Sequence, residues 1–115
     1  MKLAHHTTKH SLESIIKDGI LHPVYDCVWF TSNLDGEATA GLTMPEEHRA
    51  RVVIESDGKE LYKFNDIHGD FPHLNVGLLN MITNTDNWYV SFDEICSEDF
   101  IETSTMKDGK WIQYE

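Results

Sequence analysis

The chain has 115 residues, 40% of them hydrophobic and 10% aromatic, which is the material for one domain with one core. Twenty acidic residues against nine basic ones give a formal charge of −11. That field repels bulk nucleic acid and anionic membrane, so a non-specific DNA binder is excluded, while a small anionic ligand held by local donors, or a basic surface on another protein, is not.

No stretch approaches the roughly 20 apolar residues of a membrane span. The first residues carry no long apolar run of the signal-peptide kind. The expectation is a soluble cytoplasmic protein. Cys27 and Cys96 are the only cysteines and form no CxxC pattern. They are expected to be reduced, mostly buried thiols.

In chain order, residues 2–8 read as a short strand. Ser11 is a suitable N-cap for a helix whose inner stripe is Leu12, Ile15 and Ile16. Glu13 and Lys17 pair on its outer face. Gly19 ends the helix in a left-handed conformation, and Pro23 prevents its resumption. Residues 28–32 (Val, Trp, Phe, Thr, Ser) are β-rich and predict a central strand. Asn33 or Asp35 starts a short helix of small residues over 36–42. Pro45, Glu46 and Glu47 mark a turn or a single helical turn.

Residues 49–55 alternate as a strand, with Val52 and Ile54 on one face. Asp57 and Gly58 form a hairpin-type turn. Leu61, Tyr62 and Phe64 make a brief apolar patch. Residues 65–73 predict a surface loop and 74–82 a short helix. Residues 83–87 form a turn rich in side chains that bond their own backbone. Residues 88–92 are a strand, and Ser97 to Phe100 fit one helical turn. Asp108 and Gly109 join two final strands as the strongest hairpin signal in the chain. The sum is six or seven strands with two or three helices, an α+β domain.

Three stretches carry a resemblance. The first is Leu3, Ala4, His5, His6 and Thr7 with the helix ending at Gly19 and Ile20. The second is Val28, Trp29, Phe30, Thr31, Ser32 and Asn33. The third runs from Trp88 to Ile95, with Asp99, Phe100 and Ile101 behind it. Together, and in this order, they resemble the ADP-ribosyltransferase-like superfamily, especially small bacterial and phage members related to the DarT-type DNA ADP-ribosyltransferases and the RNA 2′-phosphotransferases.

The resemblance implies a two-sheet split β fold with short helices and a cleft that binds NAD, or a related nucleotide, as substrate. It implies transfer of ADP-ribose to a protein or nucleic-acid acceptor. His5 takes the place of the first-strand histidine that holds a ribose hydroxyl, and Thr7 lies on the same strand face. Trp29 and Phe30 are the candidates for stacking on nicotinamide. They point to opposite faces, so only one can do it. Thr31 and Ser32 line the same wall, and Trp88 is a flat surface suited to an adenine or nicotinamide ring.

Active transferases of this superfamily place a glutamate at or just before the start of the late strand. Here that position holds Trp88, with Asp86 two residues earlier and Glu94 six later. A catalytically inactive binding protein is therefore the alternative. The phosphotransferase branch uses arginines around its first-strand histidine. This chain has His6, Lys9 and His10 there, and its only arginines are Arg49 and Arg51, with Arg51 the candidate for a phosphate. His6 and His10 have a metal-like spacing, but no further ligand accompanies them and no metal site is expected.

Overall fold

The computed structural model describes residues 1–23, 27–36, 45–67 and 85–114. The helices expected over 36–42 and 74–82 lie at least in part outside those residues. What is described is an α+β fold with a mostly antiparallel sheet. Seven strands take the order β5-β6-β3-β1-β4-β8-β9, and β2 and β7 form a separate ribbon. The strands are β1 (Lys2–Thr8), β2 (Ile20–Leu21), β3 (Val28–Thr31), β4 (Arg49–Glu55), β5 (Tyr62–Lys63), β6 (Trp88–Ser91), β7 (Ile95–Cys96), β8 (Phe100–Lys107) and β9 (Lys110–Gln113). Among the described residues the strands thus form two sheets of unequal size, one large sheet and a two-stranded ribbon.

The middle of the sheet sets up the site. β1 pairs with β4 along its whole length, from Lys2 opposite Glu55 to Thr8 opposite Arg49. Its pairing with β3 on the other side is a single position, Ala4 opposite Thr31. Beyond that pair the two strands splay, and the sheet opens as a wedge between His5–Thr7 and 28–29.

Period-two alternation sorts the side chains onto two faces. On one face Leu3, Val28, Phe30, Ala50, Val52 and Ile54 pack with Leu12 of the helix, Leu21 and Ile95 into the main cluster. On the other, Trp88, Val90, Phe64 and Cys27 form a second cluster, with Trp29 and Ile67 against it. Trp29 meets Phe64 at 5.3 Å and Trp88 edge-on at 5.9 Å between ring centroids. Phe64 reaches this cluster from α2 (Phe64–Ile67), a single turn.

The helix α1 (Lys9–Asp18) lies on the main-cluster face. Its N-cap is Thr8, whose Oγ1 accepts the Ser11 N–H at 3.1 Å. The expected cap, Ser11, is therefore three residues inside the helix. Strand β1 stays extended until Thr8, so the helix starts as soon as the strand ends. Gly19 closes it at φ +70°, donating its N–H to the Ile15 carbonyl at 2.9 Å. The inner stripe is narrower than periodicity predicts. Leu12 is fully buried and Ile15 half-buried, but Ile16 is 38% exposed. One flank of the helix rests on the sheet and the next borders the wedge rather than core.

Two further expectations change. Asp57 and Gly58 turn the chain, yet no hairpin follows, because β5 pairs with β6 and not with β4. Cys96 is exposed, while Cys27 is buried. The last hairpin forms as read. Asp108 and Gly109 both take positive φ, +52° and +77°, which matches the twist of the β8–β9 pair.

Candidate functional site

The wedge continues into a concavity of about 330 Å³. Its walls come from β1 (His5, Thr7), one flank of α1 (His10, Ser11, Ser14, Ile15, Asp18), β2 and the residue after it (Ile20, Leu21, His22), and the splayed edge of β3 (Cys27, Val28, Trp29). The helix contribution follows from its period: residues 10, 14 and 18, and residues 11, 15 and 18, fall in adjacent rows along one side. Among the described residues, the polar lining is three imidazoles, three hydroxyls and one carboxylate, with neither lysine nor arginine.

His5 is the best-defined group in it. Its Nδ1 lies 2.8 Å from the Trp29 carbonyl oxygen. A carbonyl only accepts, so Nδ1 carries the proton and donates. Burial holds the ring below the usual histidine range, against the smaller upward pull of that hydrogen bond. The imidazole is therefore neutral near pH 7, with Nε2 left as an acceptor. This bond ties β1 to β3 beyond their single paired position. The ring is further fixed edge-on to Phe30, centroid to centroid 6.0 Å. A held tautomer with one free lone pair suits a ligand hydroxyl as donor.

At the rim, His22 Nδ1 faces the Glu94 carboxylate at 3.3 Å, both side chains about half exposed. Glu94 thus reaches the concavity only through His22. Asp86 is elsewhere, its carboxylate accepting from the Asn65 amide. Asp18, which the residue pattern did not single out, lines the concavity itself. Its position could have been read from the i, i+4, i+8 row with His10 and Ser14.

Among the other anticipated site residues, Thr7 joins His5 on the concavity. Trp29 lines it as well, but its ring packs in the second cluster, and its carbonyl is what His5 holds. Phe30 is on the His5 face but fully buried, so its ring is core, not a stacking platform. Thr31 is fully buried on the opposite face, its Oγ1 accepting the Asn33 N–H at 3.1 Å. The Ser32 N–H donates to the Asn87 carbonyl, and Ser32 is not on the lining. Trp88 is buried opposite Thr31. The physical reason is common to Thr31 and Trp88: alternation turns them away from the face that His5 occupies.

Arg51 is the clearest correction. It sits on the strand face opposite His5 and is 9% exposed. Its Nε and Nη2 donate to Glu102 at 3.0 and 2.6 Å, and its Nη1 to the Leu34 carbonyl at 2.8 Å. The guanidinium also lies 4.5 Å from the Trp111 ring centroid. Held on the face away from His5, it does not line the concavity. Beside it, His6 Nε2 bonds the Asn33 carbonyl at 3.2 Å. Among the described residues, His6 Nδ1 and Trp111 Nε1 are buried without a hydrogen-bond partner. An acceptor and a donor side by side, on rings 5.8 Å apart, are what a bridging water would satisfy.

No cluster of three metal-ligating side chains occurs among the described residues. No described helix is long and apolar enough to cross a membrane. Compared with known proteins, the chain matches no family model, no curated protein and no solved structure.

Proposed function

We propose that this chain is an ADP-ribosyltransferase-like domain that binds NAD or a related nucleotide in the wedge between β1 and β3 and transfers ADP-ribose to a macromolecular acceptor. One observation carries the reading. The first-strand histidine lines a concavity, neutral and in a single tautomer, with Thr7 two residues on. That is the environment a ribose hydroxyl needs from a histidine, and it is the position at which the resemblance places that role. The volume, about 330 Å³, is near the lower end of the roughly 300–1,000 Å³ of small-molecule sites. It accommodates a nucleoside unit, with the rest of a dinucleotide extending over the open side.

The absence of lysine and arginine from the lining favours a neutral ribose and base inside, and phosphates outside. It also weighs against the RNA 2′-phosphotransferase reading, because Arg51 is committed to Glu102 on the other face. An unchanged 2′-phosphorylated oligonucleotide is the expected result of that assay.

The test is incubation of the protein with NAD and cell-lysate protein and nucleic acid. Expected results are an NAD-dependent rise in melting temperature, nicotinamide release and ADP-ribose adducts by mass spectrometry, all lost in His5→Ala. Absence of all three from the unaltered protein removes the reading.

A second reading has its own observation. The position of the usual late-strand glutamate is a buried Trp88, and the nearby Asp86 is engaged by Asn65. On that basis the fold is a catalytically inactive binder that sequesters a nucleotide or blocks a protein partner. A stoichiometric partner retained by His5→Ala, without NAD turnover, supports this second reading over catalysis.

A further inference from the structure

We infer that Asp18 is the carboxylate that faces the reacting ribose, in place of a late-strand acid. The inference rests on the nucleotide reading above. Three observations lead to it. Among the described residues, Asp18 is the only carboxylate lining the concavity that His5 lines. It shares the helix flank of Ser11 and Ser14, so hydroxyl donors and an acid are presented along one wall. Among the described residues, its carboxylate has no ion pair or hydrogen bond to anchor it structurally.

Its position is also one that folding does not favour. Asp18 is the last residue of α1, at the negative end of the helix dipole, where a cation is preferred. Lys17 supplies that cation one residue earlier. A local rule broken without a compensating contact, on the wall of a concavity, is what a functional residue looks like. The two alternatives are less well placed: Glu94 is turned to His22, and Asp86 to Asn65.

The chemistry needs such a group. When the bond between ribose C1′ and the nicotinamide ring nitrogen breaks, its electron pair leaves with the nitrogen and neutralises the pyridinium. Positive charge develops on C1′ and the ring oxygen, and an ionised carboxylate stabilises it. The acceptor oxygen or nitrogen (water, when no other is supplied) then bonds to C1′ and releases its proton. That proton passes to solvent on the open side, because the one free lone pair of His5, on Nε2, is engaged by the ribose hydroxyl.

The experiment uses the full chain with NAD, following nicotinamide release, NAD-dependent thermal shift and melting temperature without ligand. Asp18→Asn is expected to lower turnover about 100-fold while keeping the thermal shift. Its ligand-free melting temperature should stay the same or rise, because a charge unfavourable to the helix is gone. Asp86→Asn and Glu94→Gln should stay within about twofold of the unaltered protein, since neither removes the stabilising charge. Turnover by Asp18→Asn equal to that of the unaltered protein overturns the inference. So does binding of NAD by the unaltered protein with no nicotinamide release, which leaves the nucleotide reading standing. Neither binding nor release overturns both.

Discussion

His6 makes the fold sensitive to acid, and the size of the effect can be worked out. Burial brings its imidazole down to about 4 from the ordinary 6.5, with the charges of His5 and Arg51 adding to the lowering and the Asn33 carbonyl and Asp35 opposing it. A folded value below the unfolded one means the unfolded chain takes up the proton first. Stability from this group is therefore complete above pH 6.5 and falls as pH drops toward 4. With those two values the linkage relation gives a loss of about 2 kcal/mol between pH 7 and 5, and about 3 kcal/mol by pH 4. For a chain of this size, 2 kcal/mol corresponds to roughly 8 °C in melting temperature.

The assay compares the unaltered protein with His6→Gln by thermal and urea unfolding at several pH values. Glutamine keeps an amide N–H for the Asn33 carbonyl but does not titrate. At pH 7 the variant should be less stable by up to about 1 kcal/mol, from the altered packing and hydrogen bond. At pH 5 it should equal or exceed the unaltered protein, so that the two curves cross. His5, also lowered by burial, contributes in the same direction in both proteins. Parallel curves between pH 7 and 5 would refute the argument.

Three further outcomes follow from the geometry. Thr8→Ala should cost about 1 kcal/mol and Ser11→Ala only a few tenths, by urea unfolding, because the helix cap is Thr8 and not Ser11. Gly19→Ala should cost about 1 kcal/mol, nearly all of it conformational. An added Cβ meets only Ser97 Oγ at 3.5 Å, so Gly19→Asn should recover part of the loss. Glu102→Gln should destabilise by about 1–2 kcal/mol, discounted for the half-exposed carboxylate. The loss should change little with added salt, because the Arg51 guanidinium that Glu102 serves is buried.

The first strand, the helix closed by Gly19, the strand over 49–55, the strand read over 88–92 and observed over Trp88–Ser91, and the final hairpin were legible from local chemistry alone. Hydrophobic alternation, a left-handed glycine and a two-residue turn act between near neighbours and depend little on the rest of the chain. The same locality placed His5 and Thr7 on one face of one strand. It could not say which face of β3 and β6 looks toward His5, because that depends on register across the sheet. Register put Phe30 with His5 but buried its ring, and turned Thr31, Trp88 and Arg51 away.

Nor could local reasoning foresee that β1 and β3 meet at one pair and then part. β1 pairs with β4 over its whole length and β3 with β6 over its whole length, but β1 and β3 share only the Ala4–Thr31 position. The concavity, with Asp18 on it, lies where β1 and β3 part. Composition and periodicity thus determined the elements and the imidazole. The choice of strand neighbours, a long-range matter of hydrogen bonding and packing, decided where the hollow opens and which acid borders it.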